Sequence, residues 1–231
     1  AHVGRKLGRA IGREEFEAVI GRMIDKGQLA SRQMRSERPI RLPPPSDPTL
    51  PSEEQLMAPV KKWLETPQAL DRLPQPNEYI DRFVEDVLTR LLDVAGKNTV
   101  FMAVYVVETA LPLGVRREMD LFTFELKRAD CPINQAYSQL ANQKQNGHYA
   151  YLIWHAPPEF VSDEKVDRVA EQCRNDGYGF ITFADPDDHE TYRTRVDCPR
   201  NPVEQGKAQA FAFPRLSDAG KRRVLGGGAE G

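Results

Sequence analysis

The chain has few cysteines, and they are not arranged to bind zinc or to form a disulfide framework. Its 231 residues include three cysteines and four histidines. Cys131, Cys173 and Cys198 are odd in number and widely spaced, and no two of them form a C-x-x-C pair. A chain with so little sulfur chemistry fits a reducing compartment, and we therefore predict a cytoplasmic location.

Long apolar runs are also missing. The longest lies near Val100–Val107, far below the roughly 18 apolar residues that a membrane-spanning helix requires. The first residues are basic but lack the apolar core of a secretory signal. The sequence thus predicts a protein that has no membrane partner.

Positive and negative charges nearly balance over the whole chain, but they are unevenly distributed along it. The formal net charge is −2. Residues 1–42 hold ten Lys and Arg against five Asp and Glu, a net of +5, so the remainder carries −7. The first segment is therefore the expected contact for a polyanion, and the acidic remainder is compatible with metal binding.

Residues 1–45 are predicted to be a winged-helix-like segment. Apolar residues recur at helical spacing over 14–24, and two strand-like runs then flank a basic tip. We predict that Arg32, Arg35 and Arg38 contact a nucleic-acid duplex. The alternative, that this segment makes only protein contacts, stays open. The proline-rich stretch 43–48 reads as a stiff linker to the next domain.

From residue 46 the pattern alternates between helices and strands, which predicts an α/β domain over 46–225 with parallel crossovers. Ser52-Glu-Glu-Gln55 is a capping box that opens a helix. The remaining predictions are helices at about 77–93, 131–147 and from 162 to 177, and strands at 100–107, 149–154, 178–183 and 192–196. Residues 226–231 are glycine-rich and predicted to be a disordered tail.

The most informative stretch is Asp120-Leu-Phe-Thr-Phe-Glu125-Leu-Lys127. In a strand, Glu125 and Lys127 point to the same face because they are two residues apart. A carboxylate beside an ammonium can hold a metal ion and steer a water molecule, and Asp120 could add a second oxygen ligand. Oxygen-only ligation suits Mg²⁺. The competing interpretation is a solvated strand face carrying a weak ion pair.

The order of elements and this motif resemble the PD-(D/E)XK nuclease superfamily. The resemblance implies a restriction-endonuclease-like mixed sheet flanked by helices, with Asp120 and Glu125 binding Mg²⁺ or Mn²⁺. It implies that Lys127 orients the attacking water and that a following helix supplies Gln135 or Gln139. An acidic residue from an early helix is also expected, with Glu54 and Glu85 as the candidates.

The spacing from Asp120 to Glu125 departs from the family pattern, in which the two acids lie on two antiparallel strands. The four residues between them contain no Gly, Asn, Asp or Pro, so they make a poor turn. In one continuous strand Asp120 would face away from Glu125. Three solutions are open: a β-bulge re-aims Asp120, Glu108 is the second ligand, or a hairpin tip usual in the family is missing.

The resemblance implies a metal-dependent nuclease acting on DNA, with double-stranded DNA as the expected partner and a restriction or antiviral defence system as the setting. Gln139 is a further candidate for contact with nucleic acid, since glutamine can reach a backbone or a base edge. Two alternatives stand beside this expectation. One is a catalytically silent nuclease fold that serves as a scaffold among the subunits of a larger complex, and the other is a nucleic-acid-binding subunit.

Overall fold

The computed structural model describes residues 49–74, 79–87, 101–112 and 114–226, except for the side chain of Gln135. All of them belong to the second of two units into which the chain divides, Pro45–Gly231. The predicted winged-helix-like segment, its linker and the tail beyond Gly226 lie outside these residues. None of the described helices combines the length and the apolar character needed to cross a membrane.

The described residues form one mixed sheet of six strands, arranged in the order of the sequence. The strands β1, β2 and β3 are antiparallel neighbours, β3, β4 and β5 run parallel, and β6 is antiparallel to β5. Their bounds are β1 Asp81–Asp86, β2 Phe101–Leu111, β3 Gly114–Lys127, β4 Tyr149–His155, β5 Gly179–Phe183 and β6 Arg193–Val196.

Six α-helices of the described residues cover the two faces of the sheet. Their bounds are α1 Glu53–Leu64, α2 Pro67–Arg72, α3 Ile133–Lys144, α4 Asp163–Asp176, α5 Gln205–Ala212 and α6 Asp218–Leu225. A short 3₁₀ helix, His189–Thr191, precedes β6. The helices α3 and α4 each connect two parallel strands, as the alternation of the sequence predicted.

Alternation along the strands sends apolar side chains to both faces, and this creates cores on both sides of the sheet. On one face, α1 and α2 pack on aromatic rings of the central strands, among them Phe122 and Tyr149, whose centroids are 4.2 Å apart. On the other face, α3 and α4 cover β4 and β5, while α5 and α6 cover β1 to β3. The sheet is therefore the middle layer of three, which confirms the predicted α/β class.

The start of α1 agrees with the predicted capping box. The Ser52 hydroxyl accepts a hydrogen bond from the Gln55 backbone, and the Gln55 side chain accepts one from the Ser52 N–H. This reciprocal pair satisfies two backbone donors that the first turn of a helix would otherwise leave unpaired. It also fixes the position of the next residue, Glu53, at the end of the sheet.

The predicted helix over 77–93 is wrong in its described part, because Asp81–Asp86 is strand β1. Phe83 and Glu85 are buried on one side, and the strand pairs with β2 from Asp81↔Val106 to Asp86↔Phe101. The apolar spacing fits both periods over so short a run, and tertiary pairing with β2 decided for the strand. The helices α2, α5 and α6 were not predicted.

Candidate functional site

Glu125 and Lys127 lie at the carboxyl end of β3 and contact each other on one face of the strand. The Lys127 Nζ is 2.6 Å from Glu125 Oε1. Their i, i+2 spacing on a regular strand accounts for this contact, which confirms the predicted shared face. Both are nearly inaccessible to solvent, with 1% of Glu125 and 5% of Lys127 exposed.

Helix α3 supplies the second contact of Glu125. It returns along β3 toward the start of β4, and its last turn places Gln143 beside the strand. The Gln143 Nε2 donates a hydrogen bond of 3.0 Å to Glu125 Oε2. Each carboxylate oxygen of Glu125 is therefore engaged by a different donor, and the orientation of the carboxylate is fixed. Burial raises the pKa of Glu125 to about 7, against the opposing charge of Lys127.

Lys127 also contacts a second carboxylate, Glu53 in the first turn of α1. The Glu53 Oε1 lies 3.5 Å from the Lys127 Nζ. Burial by itself lowers the pKa of Lys127, but the charge and hydrogen bond of Glu125, together with the charge of Glu53, outweigh burial and raise the pKa. Lys127 is therefore an ammonium at neutral pH and acts as a donor.

Glu53, Lys127 and Glu125 differ in their exposure to solvent. Glu53 has 40% of its side chain exposed, whereas Lys127 has 7% and Glu125 has 2%. Glu53 is thus the member of this group that solvent reaches most easily. We call Glu53, Glu125, Lys127 and Gln143 the β3-end cluster.

Asp120 does not belong to this cluster. The strand β3 pairs with β2 without a register shift from Gly114 to Phe124, so no β-bulge re-aims Asp120. It points to the opposite face from Glu125 and lies about 16 Å from it along the strand, at 3.3 Å per residue. Its Oδ1 accepts hydrogen bonds from Arg200 Nε at 3.2 Å and Nη2 at 2.8 Å.

A buried histidine lies beside that pair. His148 Nδ1 is 3.6 Å from Asp120 Oδ1 and accepts a hydrogen bond from the Leu121 backbone N–H. Its Nε2 lies 3.2 Å from the carbonyl oxygen of Val203, to which it donates in the matching tautomer. Burial is the main cause that lowers the pKa of His148. Asp120 is thus part of a structural network that joins β3 to the segment before α5.

Glu108 is likewise separated from the β3-end cluster. It pairs across the β2–β3 hairpin with Arg117, and the two side chains form an ion pair. Arg117 precedes Glu125 by about 26 Å of strand, at 3.3 Å per residue. The fold therefore shows neither a bulge at Asp120 nor Glu108 beside Glu125, and the third solution, a missing hairpin tip, stays a prediction.

The remaining predicted site residues are distributed between α3 and the first unit. Gln135 lies in the first turn of α3, and its side chain is outside the described part. Gln139 lies one turn before Gln143, and its Oε1 is buried with no hydrogen-bond partner among the described residues. Arg32, Arg35 and Arg38 fall outside the described residues, so their contact with a duplex stays a prediction.

The sequence did not predict two members of the cluster, although in each case a nearby residue was a candidate. The helix carboxylate that reaches Lys127 is Glu53, whereas Glu54 and Glu85 were the candidates. The glutamine that reaches Glu125 is Gln143, which follows Gln139 by one turn. The capping box could have indicated Glu53, because it places this residue in the first turn of the helix. The i, i+4 series of glutamines could have indicated Gln143.

The donor set of the cluster suits a hard divalent cation. Within residues 49–74, 79–87, 101–112 and 114–226, no group of three or more His, Cys, Asp and Glu side chains is arranged to hold a metal ion. Glu53 and Glu125 are two carboxylates that meet at one ammonium. Mg²⁺ commonly takes one or two protein carboxylates and completes its shell with water and phosphate oxygens. Glu53 and Glu125 are therefore of the ligand type that Mg²⁺ or Mn²⁺ takes, and metal binding stays a prediction.

Comparisons with known proteins add little to this geometry. No family model and no curated protein matches the chain. Among solved structures, the chain is similar to the DNA modification-dependent restriction endonuclease AspBHI, with 15% identity and a TM-score of 0.26. The match covers 58% of this chain and 33% of that one, so the chain spans about a third of the length of the matched protein. Similarity at this level carries no argument about function, which depends on the β3-end cluster itself.

Proposed function

We propose that the chain is a divalent-metal-dependent nuclease of the restriction-endonuclease-like type, with DNA as its substrate. The observation that carries this proposal is the meeting of Glu53 and Glu125 at the ammonium of Lys127. Phosphodiester hydrolysis requires metal ligands and a group that orients the attacking water, and these three side chains are candidates for both tasks. Mg²⁺ or Mn²⁺ bound here would stabilise negative charge on the phosphate and on the leaving oxygen.

Each residue of the cluster has a separate task in this proposal. Glu125 and Glu53 provide the oxygen ligands, and Gln143 holds Glu125 in one orientation through its hydrogen bond to Oε2. Lys127, as an ammonium, donates a hydrogen bond to the attacking water and does not accept its proton. The water oxygen then bonds to phosphorus and its proton passes to solvent, while the bond from phosphorus to the leaving sugar oxygen breaks and that oxygen takes a proton from solvent. A restriction or antiviral defence role is analogy from fold type.

The experiment is cleavage of plasmid DNA by the purified chain with Mg²⁺ or Mn²⁺. Lys127→Gln should reduce turnover by a factor on the order of 10²–10³, the usual cost of removing one positioned hydrogen-bond donor. Glu125→Gln should also weaken Mn²⁺ binding, measured by calorimetry without DNA. Because either change leaves a buried partner unpaired, thermal unfolding must first show that each variant is folded. Lys144→Gln, on α3, is the matched control.

A scaffold role is the second candidate, and the burial of the cluster favours it. Only 1% of Glu125 is exposed, and both of its oxygens already have donors. A buried ion pair of this kind can serve structure alone. Folded wild-type protein that binds no Mn²⁺ and cleaves no DNA at any concentration of either metal would support the scaffold and contradict the nuclease.

A further inference from the structure

A second group of cations lies at the same end of the sheet as the β3-end cluster. Arg72 ends α2 and Arg193 begins β6, and both side chains are exposed. Their Nη1 atoms donate hydrogen bonds to one acceptor, the carbonyl oxygen of Tyr192, at 3.3 and 3.1 Å. Two guanidinium groups from different elements thus meet at one point.

Neither guanidinium has a carboxylate within ion-pair distance among the described residues. Other arginines of the domain do: Arg82 pairs with Asp71, and Arg223 pairs with Asp81. The positive charge of Arg72 and Arg193 is therefore not compensated by direct contact. Uncompensated arginines in a concave surface are suited to an anion, since the guanidinium fork matches phosphate geometry.

The two arginines open into a cleft of about 450 Å³ that Thr194 and Asp197 also line. We call it the Arg72–Arg193 cleft. The carbonyl that both arginines contact belongs to Tyr192, whose ring is fully buried between Trp63 and Phe183, at centroid distances of 4.4 and 4.7 Å. The shared carbonyl is held in place by this stack, so the guanidinium groups are oriented before any ligand arrives.

The register of the sheet relates this cleft to the β3-end cluster. Lys127 is paired with Trp154, Trp154 with Thr182, and Thr182 with Arg193. Lys127 and Arg193 therefore belong to one row across the sheet, three strand spacings apart. At about 4.8 Å per spacing the separation is about 14 Å. A few nucleotides of a substrate strand would span this distance.

We infer that the Arg72–Arg193 cleft binds a backbone phosphate of the nucleic-acid substrate, a few nucleotides from the bond presented to Lys127. This inference rests on the proposed nuclease function and adds to it the direction in which the substrate strand lies. The strand crosses the carboxyl ends of β4 and β5 on its way to the cleft. Arg72, Arg193 and the Thr194 hydroxyl are the donors to the phosphate oxygens.

An acidic side chain of the cleft opposes this contact. Asp197 lines the cleft directly, and its negative charge repels a phosphate. Removal of the Asp197 charge should therefore strengthen binding.

The test is binding of a labelled DNA duplex by the full chain in metal-free buffer, measured by anisotropy over a range of salt concentrations. Arg72→Ala with Arg193→Ala should lower affinity about tenfold, as expected when charged hydrogen bonds are removed. The double change should also reduce the salt slope by about 1 for each phosphate that the protein no longer neutralises. Asp197→Asn should raise affinity. Arg168→Ala with Arg174→Ala, two exposed arginines of α4, removes the same charge as a control and should change neither quantity.

The outcomes separate this inference from the proposed function. Wild-type protein that cleaves DNA, together with a double variant that binds with unchanged affinity and salt slope, would overturn the phosphate site and leave the nuclease standing. An equal decrease in the α4 control would also overturn it, because the effect would then come from net charge. Wild-type protein that binds no DNA even at low salt would contradict both.

Discussion

Glu53 Oε1 lies 3.5 Å from Lys127 Nζ, so the first turn of α1 and the last residue of β3 meet in one ion pair. The capping box at Ser52 fixes the start of the helix, and the sheet register fixes the end of the strand. The ion pair therefore depends on two elements that are distant in sequence. Glu53 is the more exposed of the two carboxylates of the cluster.

Replacement of Glu53 tests whether this residue binds a metal ion or is only a surface charge. If Glu53 binds the metal, Glu53→Gln should weaken Mn²⁺ affinity at least tenfold, on the order of losses seen when metal-site groups are removed. The free energy of unfolding of this variant should differ from that of the wild type by no more than about 1 kcal/mol, since the Glu53 side chain is partly exposed. Glu54→Gln, one residue further along the same helix turn, is the matched control and should leave Mn²⁺ affinity unchanged. Equal effects of the two changes would remove Glu53 from the site.

Asp120 is expected to behave as a structural residue. Asp120→Asn should lower the free energy of unfolding by about 1–3 kcal/mol, because it removes the charge that Arg200 contacts through two nitrogens. Arg200→Ala should give a similar decrease, and neither change should alter Mn²⁺ affinity. Calorimetric titration with Mn²⁺ and urea unfolding of both variants measure these quantities. Loss of Mn²⁺ binding in Asp120→Asn alone would restore Asp120 as a ligand.

The buried carboxyl of Glu125 predicts a specific dependence of stability on pH in metal-free protein. Burial raises the pKa of Glu125 from 4.5 to about 7, so the folded state binds this proton more tightly than the unfolded state. The contribution of Glu125 to stability is therefore complete below pH 4.5 and is lost as the pH rises to about 7. Relative to Glu125→Gln, the wild type should lose no more than about 3 kcal/mol over this range, at 1.36 kcal/mol per unit.

Two buried histidines give stability the opposite dependence on pH. Their effect is the same in the wild type and in Glu125→Gln, so it drops out of the difference between the two proteins. Burial lowers the pKa of His148 and of His155 below 6.5. Their contribution to stability is thus present above pH 6.5 and is lost as the pH falls. Both histidines are shared by the wild type and Glu125→Gln, so urea unfolding of the two proteins between pH 5 and pH 8 isolates Glu125. A constant difference across that range would contradict the raised pKa of Glu125.

Replacement of glycine by alanine should have opposite effects on stability at two positions. A Cβ at Gly179 would lie 2.1 Å from the Tyr151 ring, whereas a Cβ at Gly206 would meet nothing within 4 Å. Gly179→Ala should therefore destabilise the fold by about 1–3 kcal/mol or more through overpacking. Gly206→Ala, within α5, should stabilise it by about 0.5–1 kcal/mol because alanine is the better helix former. Thermal unfolding compares the two, and equal shifts would contradict the packing around Tyr151.

Local sequence determined the elements whose signals are contained in a few residues. The capping box at Ser52 set the start of α1, and the two-residue spacing of Glu125 and Lys127 put their side chains on one face. The alternation of strands and helices after β3 also predicted parallel crossovers. In each case the relevant physics, a hydrogen-bonded cap or a strand period of two, acts over a few neighbouring residues.

Tertiary structure decided what depends on distant residues. Pairing with β2 made Asp81–Asp86 a strand, although its apolar spacing also fits a helix. The continuous register of β3 turned Asp120 toward Arg200, and the return of α3 brought Gln143 to Glu125. The row that joins Lys127 to Arg193 exists only because four strands are aligned side by side. Such relationships are set by packing and register between elements, which no local spacing in the sequence encodes.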